Sequence, residues 1–169
     1  VADGLAPHGE LLGDGFHLGF NISARHLTEP GLFEDCQEFQ ARFLPHRPEL
    51  TLELTERELI VSSGAIDELF DNLHAQGVYL AIDDFGTGNS SLAYLHRFKV
   101  DALKIDRSFV AMIGVDALSS HILDSIVELC GKLNLRIVAE GVETEEQWRY
   151  LAQCEVDVLQ GYLFGKPMA

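Results

Sequence analysis

Two adjacent aspartates, Asp83 and Asp84, close the apolar run Y-L-A-I-D and open a glycine-rich break, G-T-G-N-S-S, over residues 86 to 91. They have company. Asn21 ends F-H-L-G-F-N, Glu53 lies in T-L-E-L-T, Lys104 and Asp106 close A-L-K-I-D, Glu140 closes R-I-V-A-E, and Gln160 lies within V-L-Q-G-Y. Carboxylates with one amide and one lysine make a hard donor set, suited to Mg2+ or Mn2+ rather than to thiolate-type zinc chemistry. Two carboxylates on one strand end can bridge two such ions, as in two-metal phosphoryl transfer, where a bridging water is the nucleophile. A second cation would then neutralise the second aspartate, whose charge is otherwise costly at the end of a buried strand. Taken singly, each residue has a plainer role. A strand-end Asp or Glu caps a helix or meets solvent, Asn21 satisfies a turn, and Lys104 pairs with Asp106 or Glu140.

The elements that must position these residues alternate regularly. Short apolar runs at residues 16 to 21, 51 to 55, 79 to 83, 102 to 106, 136 to 140 and 158 to 162 predict strands. Helical periodicity between them predicts helices near 30 to 43, 62 to 76, 90 to 97, 119 to 133 and 144 to 153. Ile66, Leu69, Phe70 and Leu73 mark one apolar helix face, Gly77 ends that helix, Ser62 or Ser63 begins it, and Thr144 with Gln147 fits a capping box. Strand-helix alternation implies an α/β fold with a parallel sheet, either doubly wound or a barrel. In both, ligands bind at the carboxyl ends of the strands, where the polar residues fall. Alternation along T-L-E-L-T sets Glu53 and Thr55 opposite Leu52 and Leu54, and along A-L-K-I-D sets Lys104 and Asp106 opposite Leu103 and Ile105. Polar faces stacked on neighbouring strands would converge.

Composition narrows the partners. The formal charge of −15, from 27 acids against 12 bases, argues against DNA, RNA or an anionic membrane surface, so an anionic ligand must be held locally through a cation. Cys36, Cys130 and Cys154 stand far apart and the seven histidines are scattered, so neither a zinc site nor a disulfide framework is expected. The glycine-rich break lacks the G-K-S or G-K-T of a P-loop, and no G-x-S-x-G is present. Residues 1 to 15 carry no periodicity and are expected to be a leader or the remnant of a missing N-terminal part, ahead of one domain over residues 16 to 169.

The runs N-I-S-A-R-H-L (21 to 27), L-E-L-T-E (52 to 56), A-I-D-D-F-G-T-G-N-S-S-L (81 to 92), L-K-I-D-R-S-F-V (103 to 110), I-V-A-E-G-V-E-T (137 to 144) and L-Q-G-Y-L-F-G-K-P (159 to 167) resemble, in order and spacing, the EAL domain of bacteria. That family comprises phosphodiesterases that hydrolyse cyclic di-GMP to linear pGpG. The resemblance implies a TIM-barrel-like (β/α)8 fold, incomplete at its N-terminus with about six strands visible, and two Mg2+ or Mn2+ ions at the strand carboxyl ends. By motif match, Asn21, Glu53 and Asp83 would hold one ion, and Asp83, Asp84 and Glu140 the other. Lys104 would orient or activate the attacking water, with Asp83 and Glu140 completing the catalytic set. Gln160 and Asp106 are assigned to substrate, and Glu56 and Glu143 to support of the loop after the aspartates.

The same resemblance implies a homodimer, an upstream fusion to a sensor, GGDEF or membrane-anchored region, and a cytoplasmic location. The sequence also departs from the family pattern. The glutamate motif that names the family is absent, and its nearest imitation, Glu10, stands only 11 residues before Asn21. His26 replaces the usual glutamine of N-x-S-x-x-Q, and Asn89 the usual tyrosine of G-T-G-Y-S-S. Two other functions remain open on the sequence: a non-catalytic cyclic di-GMP receptor of the same fold, and a Mg2+-dependent barrel lyase or isomerase.

Overall fold

The computed structural model describes residues 16–43, 48–55, 58, 64–86, 95 and 97–166. Six strands form one sheet: β1 (His17–Asn21), β2 (Glu49–Thr55), β3 (Val78–Phe85), β4 (Ala102–Ile105), β5 (Arg136–Ala139) and β6 (Val158–Leu159). They lie side by side in chain order and every neighbouring pair is parallel. A doubly wound sheet would reverse its strand order partway, so the uninterrupted order is that of a barrel wall. The described helices are α1 (Ala24–Thr28), α2 (Leu32–Ala41), α3 (Gly64–Ala75), α4 (Arg107–Ala111), α5 (Ala117–Leu133) and α6 (Glu145–Gln153). Among the described residues no helix is long and apolar enough to cross a membrane.

Period-two alternation decides which strand face meets the helices. Leu50, Leu52 and Leu54 of β2 are each 2 % exposed, while Thr51, Glu53 and Thr55 between them face the other way and are half-buried. Leu103 and Ile105 of β4 are likewise fully buried. The helices answer with Ile66, Phe70 and Leu73 of α3, Leu123, Ile126 and Cys130 of α5, and Leu151 of α6, so the core lies between the sheet and its helical coat. Each such leucine contributes about 1.5–3 kcal/mol through burial. The opposite, concave face of the sheet carries small and polar residues such as Gly19, Thr51, Ala81 and Ala102, alongside Tyr79 and Val138.

Helix ends follow the sequence where the caps are local. Thr144 Oγ1 accepts from the Gln147 N–H at 3.2 Å and Gln147 Oε1 accepts from the Thr144 N–H at 3.0 Å, the capping box expected there. Gly77, at φ 75°, ends α3 in the left-handed conformation that glycine adopts without strain. In α1 the Ser23 N–H donates to Nδ1 of His26 at 3.0 Å, so the imidazole takes the acceptor role that a glutamine side chain plays three residues into a helix. The His26 departure is therefore compatible with this helix start.

Some expected elements change on folding. The helix predicted over 30 to 43 is shorter, Leu32–Ala41, and the five-residue α1 and α4 are additional. The strand predicted over 158 to 162 ends at Leu159. Gly161 there lies so close to the next segment that a Cβ would sit 2.1 Å from the Val142 carbonyl oxygen, and the Val142 N–H donates to the Gln160 carbonyl, turning the chain out of the sheet. Most of the helix predicted over 90 to 97, and the Ser62 and Ser63 caps, lie outside the described residues.

Helices α5 and α6 are tied by Tyr150, whose hydroxyl donates to Asp124 Oδ1 at 2.6 Å. Burial, with the Asp124 carboxylate beside it, pushes the phenol up from 10.0 to about 12. A raised folded-state pKa gives stabilisation that is complete below the unfolded value and lost as pH rises through the folded one, here between pH 10.0 and about 12. Thermal melts across that window are expected to fall more steeply for the wild type than for Tyr150→Phe, which has no phenol to ionise.

Candidate active site

Strands β2, β3 and β4 and the residue that follows β5 each deliver one ionisable side chain to the same rim. Lys104 Nζ lies 2.6 Å from Glu53 Oε2, 3.2 Å from Asp83 Oδ1 and 2.7 Å from Glu140 Oε1. Two strands, β3 and β4, lie between β2 and β5, yet Glu53 and Glu140 meet on one ammonium, as the curl of a barrel wall favours. The Lys104 side chain is 8 % exposed. Burial pulls its pKa down, but hydrogen bonds to Glu140 and Glu53 and the charges of Glu53 and Asp83 outweigh that and hold it above the ordinary ammonium value. It is a buried cation fixed by carboxylates.

The paired aspartates are reconciled by a bulge. Ile82 pairs with Leu103 and Phe85 with Ile105, so β3 spends three residues where β4 spends two. Asp84 takes up the extra residue at φ 53°. Alternation would have sent the two carboxylates to opposite faces; the left-handed step instead keeps Asp84 in the electrostatic neighbourhood of Asp83, Asp106, Lys104 and Arg107. Burial, then the charges of Asp83 and Asp106, raise the Asp84 carboxyl pKa against the opposing pull of Lys104 and Arg107. Its N–H donates to Asp83 Oδ1 at 2.9 Å.

The remaining expected residues fall at or near this rim. Asn21 is exposed at the end of β1 and pairs in register with Glu53. Gln160 follows β6, held by its N–H to the Ala139 carbonyl at 2.9 Å. It lines, with Gly19, Glu53, Ala81, Lys104 and Val138, a cavity of about 410 Å³ on the concave face. Asp106 is occupied locally: its carboxylate accepts from the Ser108 N–H at 3.0 Å and from the Ser108 hydroxyl, capping α4. Burial would raise its pKa, but the bonds from Ser108 and Arg107 prevail and lower it. Glu143 is exposed, and its N–H donates to Gln147 Oε1 at 2.8 Å. Glu10, Glu56 and the loop carrying Asn89 lie outside the described residues.

The donor set fits a divalent cation. Among the described residues no three His, Cys, Asp or Glu side chains form a ready-made metal cage, because the carboxylates close on Lys104. Three carboxylates around one ammonium leave an excess of two negative charges, and every donor is a hard oxygen. Sequence reasoning missed one residue that shapes this site, Gly19, although a glycine inside a strand is itself a signal of close approach.

Comparison with known proteins agrees with this fold. The model of the EAL domain family matches residues 5–167. The cyclic di-GMP phosphodiesterase PdeL of Escherichia coli K12 is 45 % identical over 168 residues, covering 99 % of this chain and 46 % of the relative. The probable cyclic di-GMP phosphodiesterase PdeG of the same organism is 44 % identical over 157 residues, covering 93 % and 31 %. Among solved structures, the PaMucR phosphodiesterase in complex with c-di-GMP superposes with a TM-score of 0.79 at 40 % identity, over 90 % of this chain and 62 % of that one. The Klebsiella pneumoniae BlrP1 manganese/cy-diGMP complex superposes with a TM-score of 0.83 at 34 % identity, over 98 % and 43 %. The chain thus spans less than half the length of these two curated relatives.

Proposed function

Because this chain belongs to the EAL domain family, we propose that its rim hydrolyses cyclic di-GMP to linear pGpG with two Mg2+ or Mn2+ ions. The observation that carries this reading is the convergence of Glu53, Asp83 and Glu140 on the buried Lys104. Asn21, Glu53 and Asp83 would hold one ion, and Asp83, Asp84 and Glu140 the other. Bound there, the ions would supply Lewis-acid polarisation of the phosphodiester and a hydroxide nucleophile near neutral pH.

The protein's own groups do the rest. Lys104 would serve as a positive charge and donor beside the attacked phosphate, stabilising the charge that builds as the P–O bond opens. Its hydrogen bonds to Glu53 and Glu140 hold both carboxylates at the rim before substrate arrives. Gln160 stands at the edge of the concave cavity, placed to contact the dinucleotide. Asp106, which caps α4 and whose charge reaches Asp84, would contribute to holding the substrate.

Val115, just before α5, and Leu118 and Ile122 in its first turns are exposed apolar residues, which supports a homodimer through this region. Fusion to an upstream sensory or membrane-anchored region and action in the cytoplasm complete the reading. Purified protein given Mn2+ and cyclic di-GMP is expected to release pGpG, with turnover abolished by EDTA and restored by excess Mn2+. Binding without turnover would instead establish a receptor.

A further inference from the structure

Strand β1 reads H-L-G-F-N and places a glycine mid-strand, where a missing side chain ordinarily weakens the element by about 0.5–1 kcal/mol relative to alanine. Gly19 pairs with Thr51, two positions before the pairing of Asn21 with Glu53. A Cβ built on it would lie 2.2 Å from Glu53 Oε1 and 3.0 Å from Glu53 Cδ. The Glu53 side chain therefore lies back across the neighbouring strand onto the bare backbone of residue 19. Gly19 is not among the positive-φ glycines, so its backbone is open to alanine. Nothing in the geometry of β1 itself calls for glycine.

We propose that Gly19 is a positioning residue for Glu53, its missing side chain fixing where the Glu53 carboxylate rests and so its aim at Lys104 and at a divalent cation. The two oxygens are linked. Oε1 rests over Gly19 while Oε2 accepts from Lys104 Nζ at 2.6 Å, so a methyl that evicts the first oxygen swings the second off the lysine. The end of a glutamate side chain moves easily, so Gly19→Ala is compatible with folding, and its cost is the displaced Glu53 carboxylate and the ion pair that it makes. The metal part of this inference rests on Glu53 being a ligand.

The test is a double-mutant cycle of Gly19→Ala and Glu53→Ala in the full chain, followed by Mn2+ calorimetry and by melts in EDTA. Gly19→Ala alone is expected to weaken Mn2+ binding about 10- to 100-fold, the usual effect of disturbing what orients a ligand. It is also expected to lower the metal-free melting temperature. In the Glu53→Ala background the same substitution should leave residual Mn2+ binding unchanged and raise the melting temperature, since alanine suits a strand better than glycine. Equal effects in both backgrounds overturn the proposal, as does wild-type affinity in Gly19→Ala. If the wild type binds no Mn2+, the metal assignment fails instead. The melts then decide: opposite signs in the two backgrounds support the positioning role, and like signs overturn it.

Discussion

Lys104→Met is expected to lower turnover of cyclic di-GMP on the order of 10³-fold and to destabilise the metal-free protein by about 3 kcal/mol. Methionine matches the length and buried stem of lysine, so the side-chain volume is kept and the charge alone is removed. Glu53, Asp83 and Glu140 then share a rim with no cation among them, which is the costly way to break a buried ion cluster. The signature that separates this from ordinary core damage is rescue of stability without rescue of activity. Mn2+ should raise the melting temperature of Lys104→Met by more than that of the wild type, because the metal replaces a missing charge rather than joining one already present. Turnover should stay low, because the donor beside the phosphate is gone. Equal stabilisation of both proteins by Mn2+ would remove Lys104 from the cation site.

Asp84→Gly is expected to reduce turnover about 100-fold or more while leaving the melting temperature nearly unchanged. Asp84 sits at φ 53°, a left-handed conformation that costs an ordinary residue about 1 kcal/mol and glycine nothing. That relief offsets the flexibility glycine adds to the unfolded chain. The bulge therefore survives and the carboxylate alone is lost. Asp84→Val should behave differently, losing both activity and stability, because a β-branched side chain is strained at positive φ. Parallel turnover assays and melts on the two variants check this. Full activity in Asp84→Gly would mean that one aspartate suffices and that the second is a feature of the turn.

The residues that gather at the rim were legible because a parallel strand buried against helices tolerates a charge only at a ligand-binding edge. Glu53, Asp83, Lys104 and Glu140 each ended or interrupted an apolar run, and the fold brings all four together. The bulge at Asp84 was not legible. A register shift belongs to the pairing of β3 with β4 and has no signature in either strand alone. Helices α1 and α4 escaped because five residues are too few to show a 3.6-residue period. The sixth strand was overextended because V-L-Q-G-Y carries no local stop that outweighs its apolar start and Tyr162, while the turn at Gly161 is set by the Val142 backbone contributed from elsewhere in the chain. Asp106 read as a rim acid by alternation, and the R-S-F-V-A segment after it makes it an N-cap as well. Gly19 carried its signal in plain view as a glycine inside a strand, but what it makes room for is a side chain on the neighbouring strand.

The most direct measurement is anomalous diffraction at the manganese edge from crystals grown with Mn2+. Manganese peaks at the rim, within coordination distance of Asp83 and of Glu53 or Glu140 and beside Lys104 Nζ, are the predicted result. Crystals of an enzyme that cleaves cyclic di-GMP with no manganese at these carboxylates, or with manganese bound away from Asp83, would contradict it.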